Sequence, residues 1–112
     1  GKSQDTFCPI GPGIVPVSEL ADAGDLRVAQ RLNGETLQDS RTRNLIFGVR
    51  ALVAFVSRAL TLLPGDLILT GTPEGVGIFR DPKLPMADGD LVEVEIEGIG
   101  VLRNRVREAA AT

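Results

Sequence analysis

Apolar and polar positions divide the chain into segments of different period. Residues 26–32 and 35–39 are strand-like runs on either side of Asn33-Gly34. Asn-Gly between two such runs predicts a hairpin, because both turn residues need positive φ. Further on, Leu45, Val49, Leu52, Val56, Leu60 and Leu63 recur at helical spacing. That stripe predicts one long helix over 44–62. Phe47, Val53 and Phe55 widen its apolar face, so the helix is expected to be largely buried. Thr42 or Asn44 would cap its start, and Pro64-Gly65 would stop it. Residues 67–70 read as a short buried strand after Gly65-Asp66. The same phrase returns as Gly89-Asp90 before Leu91-Val92, so each Gly-Asp reads as a turn that opens a strand.

The last hairpin is patterned in more detail. Val92, Val94 and Ile96 alternate with Glu93, Glu95 and Glu97; Leu102, Asn104 and Val106 alternate with Arg103, Arg105 and Arg107. Only an even pairing sum keeps apolar opposite apolar and acid opposite base. A loop of Gly98-Ile99-Gly100 satisfies this. It sets Ile96 opposite Leu102, Val92 opposite Val106, Glu95 opposite Arg103 and Glu93 opposite Arg105, with Gly100 as the left-handed bulge residue.

The remaining segments are loops. Residues 1–25 are too rich in Gly and Pro for a long helix or a central strand; residues 17–23 read as one helical turn capped by Ser18. Residues 71–88 form a long ordered loop, of the kind that is often functional. The tail, 108–112, reads as frayed.

Composition narrows the function. A chain of 112 residues with a net charge of −3 is one domain or part of one. The scattered basic residues and four Phe as sole aromatics do not suit nucleic acid. No apolar run is long enough to span a membrane, and no signal-peptide pattern opens the chain. The single cysteine, Cys8, allows no internal disulfide and reads as a small buried residue. There is no His, Tyr or Trp. Ser-His-Asp and Cys-His catalysis and Cys/His zinc sites are therefore excluded within this chain. Any metal would need oxygen ligands, which favours Mg²⁺, Mn²⁺ or Ca²⁺. Glu93-Val94-Glu95 has a tempting local pattern for such a metal, but the facing arginines favour a solvated cross-strand ladder.

Three stretches, taken in order, resemble the fumarylacetoacetate hydrolase family. The first is Gly1-Lys2-Ser3-Gln4-Asp5-Thr6-Phe7-Cys8-Pro9-Ile10-Gly11-Pro12. The second is Leu32-Asn33-Gly34-Glu35 with Gln38-Asp39-Ser40, Thr42 and Leu45-Ile46-Phe47. The third runs from Leu63-Pro64-Gly65-Asp66 through Thr70-Gly71-Thr72-Pro73-Glu74-Gly75-Val76-Gly77, and closes with Gly89-Asp90-Leu91-Val92 and Glu97-Gly98-Ile99-Gly100. Gln4 departs from the pattern, where an aromatic is expected.

The α+β pattern of hairpins and one long packed helix is refined by this resemblance to a mixed β-sandwich roll. The resemblance implies that residues 1–112 are the C-terminal portion of a catalytic domain whose N-terminal part is missing. It implies metal-dependent hydrolysis, decarboxylation or isomerisation of small 2-oxo or 1,3-dioxo acids through a stabilised enolate. Lys2 stands at the position of the family's catalytic lysine, Thr6 at a hydroxyl close to the metal, and Gly71 and Thr72 at a substrate-contacting turn. The metal's carboxylates, a Glu-x-Glu pair and an Asp, would lie N-terminal to Gly1. The complete enzyme would then use Mg²⁺, with Mn²⁺ or Ca²⁺ as alternatives, act in the cytoplasm as a homodimer, and leave the isolated chain inactive. The other reading is a non-catalytic β-domain for binding or assembly, or half of a split protein.

Overall fold

The computed structural model describes residues 2–109; Gly1 and the end of the expected frayed tail, 110–112, lie outside them. Four strands, β1 (Arg27–Leu32), β2 (Glu35–Arg41), β3 (Leu91–Ile96) and β4 (Gly100–Arg105), form one sheet in the order β2-β1-β3-β4. Every neighbouring pair is antiparallel. With the helix α1 (Val49–Ser57), this makes the chain α+β. The turn between β1 and β2 has Asn33 at φ 52° and Gly34 at φ 86°, the left-handed pair that an Asn-Gly hairpin requires. Asn33 also ties its turn to β3. Its side chain donates to Asp90 Oδ1 at 2.8 Å and accepts from the Leu91 N–H at 2.9 Å.

Strand alternation gives the sheet two different faces. Arg27, Ala29, Arg31, Asp39, Arg41, Glu93, Glu95 and Arg103 share one face by register. Val28, Gln30, Leu32, Gln38, Ser40, Val92, Val94, Ile96 and Leu102 share the other. Charges on the first face are paired across strands. Arg27 holds Asp39 through two bonds of 2.9 and 2.6 Å. Arg31 Nη1 donates to Glu95 Oε2 at 2.7 Å, and Arg103 Nε to Glu93 Oε1 at 2.6 Å. Ala29, on the same face, is 1% exposed.

The hairpin of β3 and β4 keeps the expected parity but not the expected register. Its pairs are Val94 with Leu102, Glu93 with Arg103, and Ile96 with Gly100. The sums are 196, two less than expected, so the loop is Glu97-Gly98-Ile99. An Ile99 N–H bond to Ile96 O of 3.0 Å closes it. Gly100 has the positive φ expected of it, 126°, but opens β4 rather than closing the loop, and Gly98 within the loop is also positive at φ 76°. Glu95 therefore faces Val101 in β4 and finds its cation in β1 instead.

Further expectations are corrected. The helix is nine residues rather than nineteen, and none of them is buried. It starts only after Gly48, whose extended backbone (φ −65°, ψ 161°) interrupts the apolar stripe, as suits a poor helix former. Neither Thr42 nor Asn44 caps it. They lie in a separate 3₁₀ turn, Thr42–Asn44, where Thr42 Oγ1 accepts from Leu26 N at 2.9 Å and donates to Ala23 O at 3.0 Å. Residues 67–70 pair with no strand among the described residues. The 3₁₀ turn Val17–Glu19 is present, with Pro16 rather than Ser18 at its cap. Cys8 is half-buried.

The two Gly-Asp turns are alike. Leu63 N donates to Asp66 Oδ2 and Ala87 N to Asp90 Oδ2, each at 2.7 Å. Only the second opens a strand. The first has no strand partner here, and that fits the sparse core. Leu26, Ala29 and Leu32 are buried, while Ile46, Phe47, Phe55, Leu67, Leu69 and Phe79 are exposed. The surface measures 9056 Å², against about 5,900 Å² for a compact monomer of this length. The radius of gyration is 15.7 Å, against about 13 Å. The apolar faces have the composition of an interior and the exposure of a surface.

Candidate functional site

The long loop of residues 71–88 is anchored to β2. The register between β1 and β2 shifts at Gln30/Arg31, so Leu37 is the extra residue of a bulge, a feature that re-aims neighbouring side chains. Gly75 (φ 100°) packs its backbone against this bulge; a Cβ there would stand 2.1 Å from Leu37 O. Beside it, Gln38 Nε2 donates to Pro73 O at 2.6 Å, Thr72 Oγ1 at 3.0 Å and Glu74 O at 3.2 Å. Two of these acceptors are carbonyls, which only accept, so the amide nitrogen must be the end that faces them. The loop is closed lower down by the 3₁₀ turn Gly77–Phe79 and by Leu84 N to Gly77 O at 3.0 Å.

The anchored turn forms one wall of an open groove of about 460 Å³ on the apolar face of the sheet. Thr70, Gly71, Thr72 and Pro73 line that wall; the sheet contributes Val28, Ser40, Arg41 and Ile96, and the segment after β2 contributes Thr42, Asn44, Leu45, Ile46, Phe47 and Leu52. Hydroxyls and an amide set in apolar walls are the usual character of a small-molecule site. A larger opening of about 680 Å³ lies on the charged face, around Arg27, Arg41, Glu95 and Glu97. Its arginines are already engaged: Arg27 by Asp39, and Arg41 by Asp25 and Glu97. It is the outer side of an ion-pair ladder.

The expected site residues are placed as follows. Gly71 and Thr72 are brought together in the groove. Lys2 and Thr6 are exposed in the N-terminal turns and do not line it. Thr6 stands at φ 68°, a position a β-branched residue rarely takes and one where strain often marks function. Sequence reasoning missed Gln38 as an anchor. In sequence Gln38 alternates with Leu37, the one apolar residue of β2, so simple alternation puts it on the other face; the bulge at Leu37 is what turns it to the apolar side.

No carboxylate lines the groove. Among the described residues no group of three or more His, Cys, Asp or Glu stands where it could hold a metal ion. The carboxylates of the sheet are committed elsewhere. The Arg41 guanidinium holds the Asp25 carboxyl below the usual carboxylate range, and Arg27 does the same for Asp39. Glu93 is lowered chiefly by Arg103, with help from Arg31. Asp90 is lowered by the Ala87 N–H and the Asn33 amide. Glu93 and Glu95 both turn to arginines, Glu93 to Arg103 and Arg31 and Glu95 to Arg31. The polar lining of the groove is the hydroxyls of Ser40, Thr42, Thr70 and Thr72, the Asn44 amide and the Arg41 guanidinium.

Known proteins resemble this chain along nearly its whole length. The family described as fumarylacetoacetate (FAA) hydrolase C-terminal matches residues 1–107. An oxaloacetate tautomerase of Bos taurus, mitochondrial, is 48% identical over 106 residues, 95% of this chain and 34% of that protein. The structure of 2-hydroxyhepta-2,4-diene-1,7-dioate isomerase from Mycobacterium marinum superposes with a TM-score of 0.84 at 47% identity, covering 96% of this chain and 39% of that one. Maleylpyruvate hydrolase from Sphingobium sp. SYK-6, in complex with manganese(II) ion and pyruvate, superposes with a TM-score of 0.85 at 37% identity, covering 95% and 38%. The chain thus spans about a third of the length of the curated relative it matches. Among the described residues no helix is long and apolar enough to cross a membrane.

Proposed function

The chain belongs to the fumarylacetoacetate hydrolase family, and on that premise we propose that it is the substrate-groove portion of an enzyme acting on small 2-oxo or 1,3-dioxo acids. The observation that carries this reading is the anchored Thr70-Gly71-Thr72 turn, which presents a hydroxyl and a backbone to an apolar groove. Thr72 and the Gly71 backbone hold and orient the oxo acid. Lys2, carried on the N-terminal segment, supplies positive charge to the oxyanion that develops as a C–C or C–H bond breaks. Hydrolysis, decarboxylation and isomerisation share that enolate, and differ in how its electrons are next used.

Among the described residues no group of three or more His, Cys, Asp or Glu could hold a metal ion. Mg²⁺, or Mn²⁺ or Ca²⁺ in its place, is assigned to carboxylates N-terminal to Gly1, and the isolated chain is accordingly inactive. A neighbouring maleylpyruvate hydrolase, whose structure is in complex with manganese(II) ion and pyruvate, supports a divalent metal in the complete enzyme. We keep a homodimer and a cytoplasmic location as parts of the same proposal, beside the mitochondrial location that the tautomerase's name carries.

The reading is tested with Lys2→Met in the complete enzyme, assayed on oxaloacetate and acylpyruvates. Charge that develops only in the transition state is read in kcat. Loss of one strong electrostatic contact should lower kcat by about 10²–10³-fold. An unchanged kcat/KM refutes the role. A raised KM alone reduces Lys2 to ground-state substrate binding.

A further inference from the structure

We propose that Gln38 is a positioning residue for the groove, acting through Thr72; this rests on the reading that Thr72 contacts the substrate. Thr72 Oγ1 accepts a hydrogen bond from Gln38 Nε2 at 3.0 Å. A hydroxyl that accepts from one side has its own hydrogen free to donate elsewhere, and Thr72 lies in the groove wall. Gln38 thus sets the polarity of the Thr72 hydroxyl: acceptor toward β2, donor toward the substrate's oxygen. The two hydrogens of this amide are shared among Thr72 Oγ1 and the next two carbonyls, Pro73 O at 2.6 Å and Glu74 O at 3.2 Å. This fixes the position of the turn as well as the direction of its proton.

The sheet explains why this residue and not another. Gln38 follows Leu37, the bulged residue of β2, whose carbonyl is the surface on which Gly75 packs. Bulge, glycine and amide therefore bind one loop at consecutive points. Gln30, its cross-strand neighbour on the same face, is spent locally on Arg31 O at 3.1 Å. Gln38 itself lies outside the groove lining, so it acts through Thr72 rather than on substrate.

The test is a double-mutant cycle of Gln38→Met and Thr72→Val in the complete enzyme, read as kcat, KM and Tm. Misplacing a reacting group by about 1 Å can cost ~10²-fold, so Gln38→Met should lower kcat/KM by about tenfold or more, mostly in kcat. With Thr72 already Val, the further loss from Gln38→Met should shrink at least several-fold, because the group it positions is gone. Gln38→Glu, which keeps the length but cannot donate when ionised, should behave like Gln38→Met at neutral pH and regain kcat as the pH falls and its carboxyl protonates. That recovery is not expected of a merely structural residue, and the variant serves if Gln38→Met fails to fold. If Thr72→Val is damaging while Gln38→Met is neutral or strictly additive with it, the proposal fails and the groove reading stands. If Thr72→Val leaves kcat/KM unchanged, the reading beneath it falls, and the proposal with it.

Discussion

Arg103 reaches across the last hairpin and donates from Nε to Glu93 Oε1 at 2.6 Å. The Glu93 side chain is only 13% exposed while that of Arg103 is 62% exposed, so the acid is the inner member of the pair. On its other side Arg31 approaches Glu93 Oε2 at 3.4 Å. Glu93 thus links β4 to β1 through β3, and its carboxyl is held below its ordinary range, chiefly by Arg103.

This has a pH consequence. A carboxyl with a depressed folded-state pKa stabilises the fold above its unfolded pKa, about 4.3 for Glu. The contribution is lost as the pH falls through the lower folded value. Glu93→Gln should lower Tm at neutral pH, and the gap to the unmodified enzyme should close below about pH 4. Thermal melts across pH 3 to 7 check this. A gap that stays constant over that range would show that Glu93 acts by packing rather than charge.

The hairpins, their parity and the Asn33-Gly34 turn were legible because each depends on neighbours in sequence. The register of β3 on β4 was not. A pairing sum of 198 would set both Glu93 and Glu95 opposite arginines of β4, whereas 196 does so for Glu93 and leaves Glu95 opposite Val101; the choice involves β1, whose Arg31 pairs with Glu93 and Glu95 from over sixty residues away. The helix was over-read for a related reason. The stripe from Leu45 to Leu63 says which positions seek burial, not which of them are helical, and a short helix with no packing partner is marginal. In the site, the turn Thr70-Gly71-Thr72 was found through a family pattern, whereas Gln38 needed the bulge at Leu37 to show where it points.

Asn33 separates two effects that one residue combines. Its backbone needs positive φ, and its side chain bonds to Asp90 and to Leu91 N. Asn33→Gly keeps the first and loses the second, so it should be measurably destabilising. Asn33→Ala should be worse, by up to ~1–2 kcal/mol for the left-handed backbone, partly offset by the ~0.5–1 kcal/mol of chain entropy that glycine loses. Denaturant unfolding of both variants decides it; equal midpoints would remove the backbone part of the argument.

Gly75 has no room for a side chain. Alanine would place Cβ 2.1 Å from the Leu37 carbonyl oxygen at φ 100°, so the loop must leave the bulge. Gly75→Ala should cost more than about 2 kcal/mol and lower kcat together with stability, since Thr72 moves with the loop. Gly13→Ala is the control: nothing stands within 4 Å of a Cβ there, and the change should stay within about 0.5 kcal/mol. Similar melting temperatures for the two variants would contradict the packing described at Leu37.

The isolated chain should behave as an unfinished surface. Its hairpins are joined by backbone ladders and ion pairs, so the sheet has local reasons to form. The faces beside it have none: Ile46 is 92% exposed and Phe79 is 87% exposed, and the helix buries no residue. Exposed apolar area on this scale drives association or fluctuating packing. Residues 1–112 expressed alone should therefore enhance the fluorescence of an apolar dye such as ANS, elute larger than a monomer, and show no metal-dependent turnover of oxaloacetate with Mg²⁺ or Mn²⁺. The first two follow from the uncovered apolar area, the third from the absence of a carboxylate cluster among the described residues. A monomer without dye binding would mean the apolar faces close on one another in solution. Turnover well above a no-protein control would locate a working metal site within this chain and overturn the division of labour proposed for it.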